Sequence, residues 1–135
     1  QNYFEQYLGQ FPAQVFDKIN ENFIRCSFFE LCSRYLSSCY TFAIEQNNSA
    51  GRSDFEMTGI PGTDYYKDDR LAEFKYFKAK EAERMLALSD PPPEDVAQVL
   101  AYAKDTKVKF PHYHVRSYIV YICANKGWKC WEVTP

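Results

Sequence analysis

"DDRLAEFKYFKAKEA", residues 68–82, is the stretch on which the reading of the chain turns. Its middle, Leu71–Phe77, reads as a strand, and from Lys78 onward the composition favours a helix. Successive side chains of a strand point to opposite faces. Glu73 and Lys75 therefore share one face, and Ala72, Phe74 and Tyr76 the other. Taken alone, that alternation fits a solvated face with an ordinary ion pair worth well under about 1 kcal/mol. Leu71 and Phe77 fall on the charged face as well. The expectation is a strand near a sheet edge, with covered ends and a middle that opens to a cleft.

Upstream, "VFDKINENFIRCSFFELCSRYLSS" places Phe16, Ile19, Phe23, Ile24, Phe28, Leu31 and Tyr35 mostly three or four residues apart, the spacing of a helix. Pro12 suits the opening of that helix and separates it from a shorter one at Asn2–Leu8. "CYTFAIEQ" and "RSDFEMTG" read as strands joined by the turn chemistry of "NNSAG". "IPGTDYYKDD" is then a loop or hairpin leading to the strand at 71–77. Downstream, "KAKEAERMLALSD" is helical until Pro91-Pro92-Pro93 breaks it, and Glu94 and Asp95 favour a fresh helix start in "EDVAQVLAYAKDT". "HVRSYIVYICAN" and "WKCWEV" are two further strands, turned at "KG". The order implies an α/β fold with a central mixed sheet flanked by helices, αβββαβ with extra N-terminal helices. It is read as one domain over 1–135, helical over 1–38 and carrying sheet and motif helix over 39–135.

The totals agree with a packed domain. The 135 residues are 46% hydrophobic and 18% aromatic. No apolar run approaches the roughly 20 residues of a membrane helix. A start at Gln1, with neither methionine nor signal peptide, suits an excised domain or a processed product. The formal charge of −2 creates no global field for a polyanion, so nucleic-acid binding would need a local patch. Five cysteines without a CxxC pair are too sparse for a disulfide framework and wrongly spaced for a zinc or iron–sulfur site. Buried free thiols in a reduced compartment are expected. His112 and His114 lack a third soft ligand nearby. Trp128 and Trp131 should face opposite sides of their strand.

The chemistry lies in what surrounds Glu73 and Lys75. Asp54 follows a glycine turn in the neighbouring strand, and pairing of the two strands would bring it to face Glu73. Two carboxylates about 4 Å apart repel by roughly 4 kcal/mol at an effective dielectric near 20. A divalent cation relieves that repulsion, and hard oxygen ligands suit magnesium or manganese. A neighbouring lysine can then hold an attacking water or offset charge on a phosphate.

"GRSD", "EFK" and "QVLAY", in that order, resemble the motifs G-x-x-D, E-x-K and Q-x-x-x-Y of the PD-(D/E)xK nuclease superfamily. The closest likeness is to RecB-like domains, of the kind found C-terminal to AAA-ATPase-like modules. It spans residues from about Glu21 to Val133. The resemblance implies a restriction-endonuclease-like core and metal-dependent hydrolysis of nucleic acid, DNA in the first instance. It makes Asp54 and Glu73 ligands of Mg2+ or Mn2+, aided by the Phe74 carbonyl. Lys75 would position water and stabilise the transition state, and Gln98 would reach in from the helix with Tyr102 one turn on. Glu21 matches a helical glutamate that approaches the same site, with Glu30 on the same helix as its rival. Arg52 and Lys78 would contact substrate, and Lys80, Lys104, Lys107 and Lys109 could track a backbone. The protein would be intracellular, in cytoplasm or nucleus, with an ATPase module before Gln1 as a partner and no membrane. The competing readings are a nuclease-fold module with a weak or inactive site that binds DNA or protein, and a structural domain that assembles through its N-terminal aromatics.

Overall fold

In the computed structural model, the alternation at residues 68–77 becomes the middle strand of a five-stranded sheet. Backbone is described for residues 2–48 and 51–135, and side chains for 6–44 and 55–135. The strands are β1 (Tyr40–Asn48), β2 (Gly51–Gly59), β3 (Asp68–Phe77), β4 (His114–Cys123) and β5 (Gly127–Val133), in that spatial order. All neighbours pair antiparallel except β3 and β4, which run parallel. A parallel pair needs a long crossover, and here it contains α3 (Ala79–Leu86) and α4 (Pro93–Lys109). The restriction-endonuclease-like α/β expectation therefore holds. The turn expected at "NNSAG" has Ser49 and Ala50 outside the described residues.

Two local expectations are corrected. The strand with Glu73 and Lys75 is not near a sheet edge. The crossover returns β4 alongside it over ten residues, from Asp68↔His114 to Phe77↔Cys123. Nor is the long N-terminal helix continuous. After α1 (Asn2–Gly9), a short 3-10 helix at Ala13–Asp17 precedes α2 (Glu21–Leu36). The cause is Asn20, whose extended backbone and side-chain oxygen, 3.0 Å from the Phe23 N–H, cap α2. Phe16 and Ile19 reach the core from outside that helix, and both are buried.

Two apolar layers enclose the sheet. On one face, Ile24, Phe28 and Cys32 of α2 pack on Phe55, Phe74 and Ile122. On the other, α3 and α4 place Ala82 and Val99 against Ile119, Tyr121 and Val133. Trp128 joins the first layer and Trp131 the second, as their spacing predicts. The prolines split α3 from α4, with Pro93 at the first helical position, where its missing N–H costs nothing. Lys129 Nζ and Trp131 Nε1 on β5 donate to the carbonyls of Leu88 and Ser89, the latter at 3.0 Å, and tie this break to the sheet. Gly59 ends β2 where the Tyr65 carbonyl approaches; a Cβ there would sit 1.6 Å from that oxygen. All five cysteines are free thiols, but only Cys32 and Cys123 are buried, while Cys26 and Cys130 are exposed. Among the described residues no helix is long and apolar enough to cross a membrane.

Candidate active site

The site follows from a match between two repeats. On β3, residues two apart recur on one face about 6.6 Å apart. On α4, steps of three or four residues advance about 4.5–6 Å along one stripe. Asp95, Gln98 and Tyr102 form such a stripe, and it runs against Lys75, Glu73 and Leu71 of β3. Asp95 Oδ1 lies 2.5 Å from Lys75 Nζ, and Gln98 Nε2 lies 3.2 Å from Glu73 Oε1. Tyr102 packs with Leu71. Gln98 Nε2 also donates to the Tyr102 hydroxyl at 2.7 Å, a contact one helical turn apart.

Of the residues expected from sequence, the structure brings together Glu73, Lys75, Gln98 and Tyr102. Glu73 is buried, 8% exposed, whereas the Lys75 side chain keeps 31% of its surface. Asp54 reaches this neighbourhood through its backbone. β2 pairs with β3 up to Phe55↔Ala72, and one residue further on each strand brings Asp54 level with Glu73. The side chains of Asp54 and Arg52 lie outside the described ones. His112 and His114 are both exposed. Among the described residues no three His, Cys, Asp or Glu side chains are grouped to hold a metal.

Glu21 and Lys78 stand elsewhere. They line a cleft with Tyr76, Asn22, Arg25 and Glu81, and its lining includes none of Glu73, Lys75 and Gln98. The cleft lies where β3 runs out, on the side of α2, because Tyr76 points there and donates to the Phe16 carbonyl at 2.5 Å. Glu30, the rival of Glu21, is exposed and ion-paired with Arg34 one turn on. Of the lysines expected near a nucleic-acid backbone, Lys104 and Lys107 line a groove of about 1120 Å3 with His114 and Arg116, towards the C-terminal end of α4. Arg116 is paired there with Glu132 at 3.2 Å, and Lys107 donates to the Tyr113 carbonyl.

Three polar residues escaped the sequence reading. Asp95 is 2% exposed, and its second oxygen accepts from the Tyr121 hydroxyl. Burial, and then that hydrogen bond to Asp95, push the Tyr121 phenol well above its usual range. As a sequence feature Asp95 is a helix-start acid; its spacing of three from Gln98 is the signal that places it on the same stripe. Asp69, fully buried on the same face of β3, is the third. Neither of its carboxyl oxygens has a well-formed hydrogen-bond partner, although Glu56 and Thr58 of β2 lie close enough to act on it. Burial first, then Glu56, push its pKa from 3.8 up to about 9, so Asp69 is a neutral acid at pH 7. Its neighbour Asp68 faces the other way and accepts from Tyr40 at 2.6 Å and Arg70 at 2.9 Å.

This order of carboxylate, lysine and helical glutamine on a mixed sheet has a counterpart among known families. The sequence model of the PD-(D/E)XK nuclease superfamily matches residues 19–132, most of the chain. The chain belongs to the PD-(D/E)XK nuclease superfamily. No curated protein and no solved structure matches it. The matched span includes both β3 and α4.

Proposed function

We propose that the domain hydrolyses phosphodiester bonds of nucleic acid, DNA in the first instance, as a Mg2+- or Mn2+-dependent nuclease. The observation that carries this reading is the contact of Gln98 with Glu73, with Lys75 two residues along the same face. Asp54 and Glu73 would hold the cation, which would supply positive charge at the phosphoryl group and make a bound water more acidic. Lys75 directs its ammonium at a phosphoryl oxygen or at the attacking water, and offsets charge that develops in the transition state. Gln98 orients the Glu73 carboxylate, and its own amide is fixed by the Tyr102 hydroxyl. Arg52 and Lys78 contact the substrate backbone. Glu21 would serve a second metal directly or through water. A RecB-like domain linked to an ATPase module, acting inside the cell, belongs to the same reading.

Calorimetric titration with Mg2+ and Mn2+ tests the metal site. Wild type is expected to bind, and Glu73→Ala and Asp54→Ala are each expected to lose binding; equal binding by all three sinks it. A plasmid-nicking assay tests the reaction: Lys75→Ala should lower cleavage by about 100-fold or more, and unchanged cleavage removes the lysine from its role. The second reading is a binding module on the same fold, favoured by the absence of a strong positive field at a net charge of −2. Metal and nucleic-acid binding without any nicking would decide for it.

A further inference from the structure

Lys75 does not stand free beside Glu73. Its ammonium meets Asp95, whose side chain is 3% exposed against 31% for the lysine. Each Asp95 oxygen has its own partner, Oδ1 with Lys75 and Oδ2 with Tyr121. Those partners are register neighbours, since Lys75 pairs with Tyr121 across the parallel β3–β4 ladder. Asp95 therefore bridges two strands from the first turn of α4, where a carboxylate is also favoured by the helix dipole. A buried anion of this kind must be matched by a cation and by hydrogen bonds. An ammonium has three donors, and only one is needed for Asp95. The ammonium is pinned to a buried carboxylate, while the 31% of the lysine side chain that stays exposed leaves its other donors accessible.

We infer that Asp95, braced by Tyr121, is the positioning residue for Lys75. It keeps the lysine a fixed cation directed at the substrate and prevents it from pairing with Glu73. This rests on the nuclease reading for its catalytic consequence, but the clamp itself can be tested without cleavage. Asp95→Asn preserves shape and removes the charge. Amine acylation of the metal-free protein, followed by peptide mass spectrometry, should show Lys75 labelled several-fold faster in Asp95→Asn than in wild type, with Lys78 and Lys80 unchanged. In steady-state cleavage the same variant should lose about 100-fold in kcat, as expected for a misplaced catalytic group, with KM nearly constant. Asp95→Glu should recover part of that loss. Should Asp95→Asn fail to fold by circular dichroism, Tyr121→Phe takes its place, with a smaller gain in Lys75 labelling expected. Unchanged Lys75 labelling in the folded variant overturns the inference, as does faster labelling with cleavage untouched. A wild type that cleaves nothing defeats the nuclease reading instead, and the labelling result still decides whether Asp95 holds Lys75.

Discussion

Phe74 and Glu73 are adjacent on β3 and both are buried, 1% and 8% exposed, yet they belong to opposite kinds of interior. Phe74 packs its ring against Phe28 and Phe55, with centroids 5.0 and 6.3 Å away. Glu73, on the reverse face, meets the amide of Gln98. Under α2 the sheet is sealed by aromatic rings whose contribution scales with area removed from water. Under α4 the same strand is lined by Asp69, Glu73 and Lys75, groups whose burial costs free energy unless each is matched. One face is a sealed apolar layer, and the other gathers the polar side chains of the strand. A strand of ten residues serves both because its side chains alternate.

The contrast can be broken most forcefully from the apolar side. Phe74→Ala should cost about 3–5 kcal/mol in chemical denaturation, the usual loss for a buried aromatic. A loss below about 1 kcal/mol would mean that the aromatic layer is not the main support. The polar face should respond with the opposite sign at Asp69. Its folded pKa of about 9 lies above the value of 3.8 expected when unfolded. Between those values the folded state holds a proton that the unfolded state has released. The stability carried by the neutral acid is thus complete below about pH 4 and lost as pH rises towards 9. Asp69→Asn should flatten that decline, a slope of up to about 1.4 kcal/mol per pH unit, and melt higher than wild type at pH 8. Parallel pH profiles for the two proteins would show that Asp69 is not held neutral. The smallest effect is expected at Tyr76→Phe, which removes the hydroxyl bond to the Phe16 carbonyl. It should lower stability by about 1 kcal/mol, since that bond secures the N-terminal segment on the apolar face.

Much of this division was legible in the residues. Alternation at 72–76 separates the two faces correctly, and the proline run splits the helix where expected. Gln98 and Tyr102 were legible through the resemblance of "QVLAY" to the Q-x-x-x-Y motif, whose spacing puts both residues on one helical stripe. The middle position of β3 was not, because strand order depends on where a crossover returns, which local pattern does not encode. The break before α2 was masked by apolar spacing that continues through Phe16 and Ile19, while the capping oxygen of Asn20 decided the boundary. Asp95 and Asp69 were missed for a common reason. An acid at a helix start, or beside another acid at a strand start, has an ordinary surface explanation. Only tertiary packing shows that these two are interior.

The three-proline break has a mechanical consequence. Stitched by Lys129 and Trp131 to the strand at the rim of the sheet, it sets the point from which α4 departs. The stripe of Asp95, Gln98 and Tyr102 is indexed from that point, as teeth on a rack are indexed from its fixed end. Slippage of one residue there would turn the stripe by about 100° and disengage all three side chains at once. The alignment of the stripe is thus anchored at its periphery, by two side chains of the edge strand.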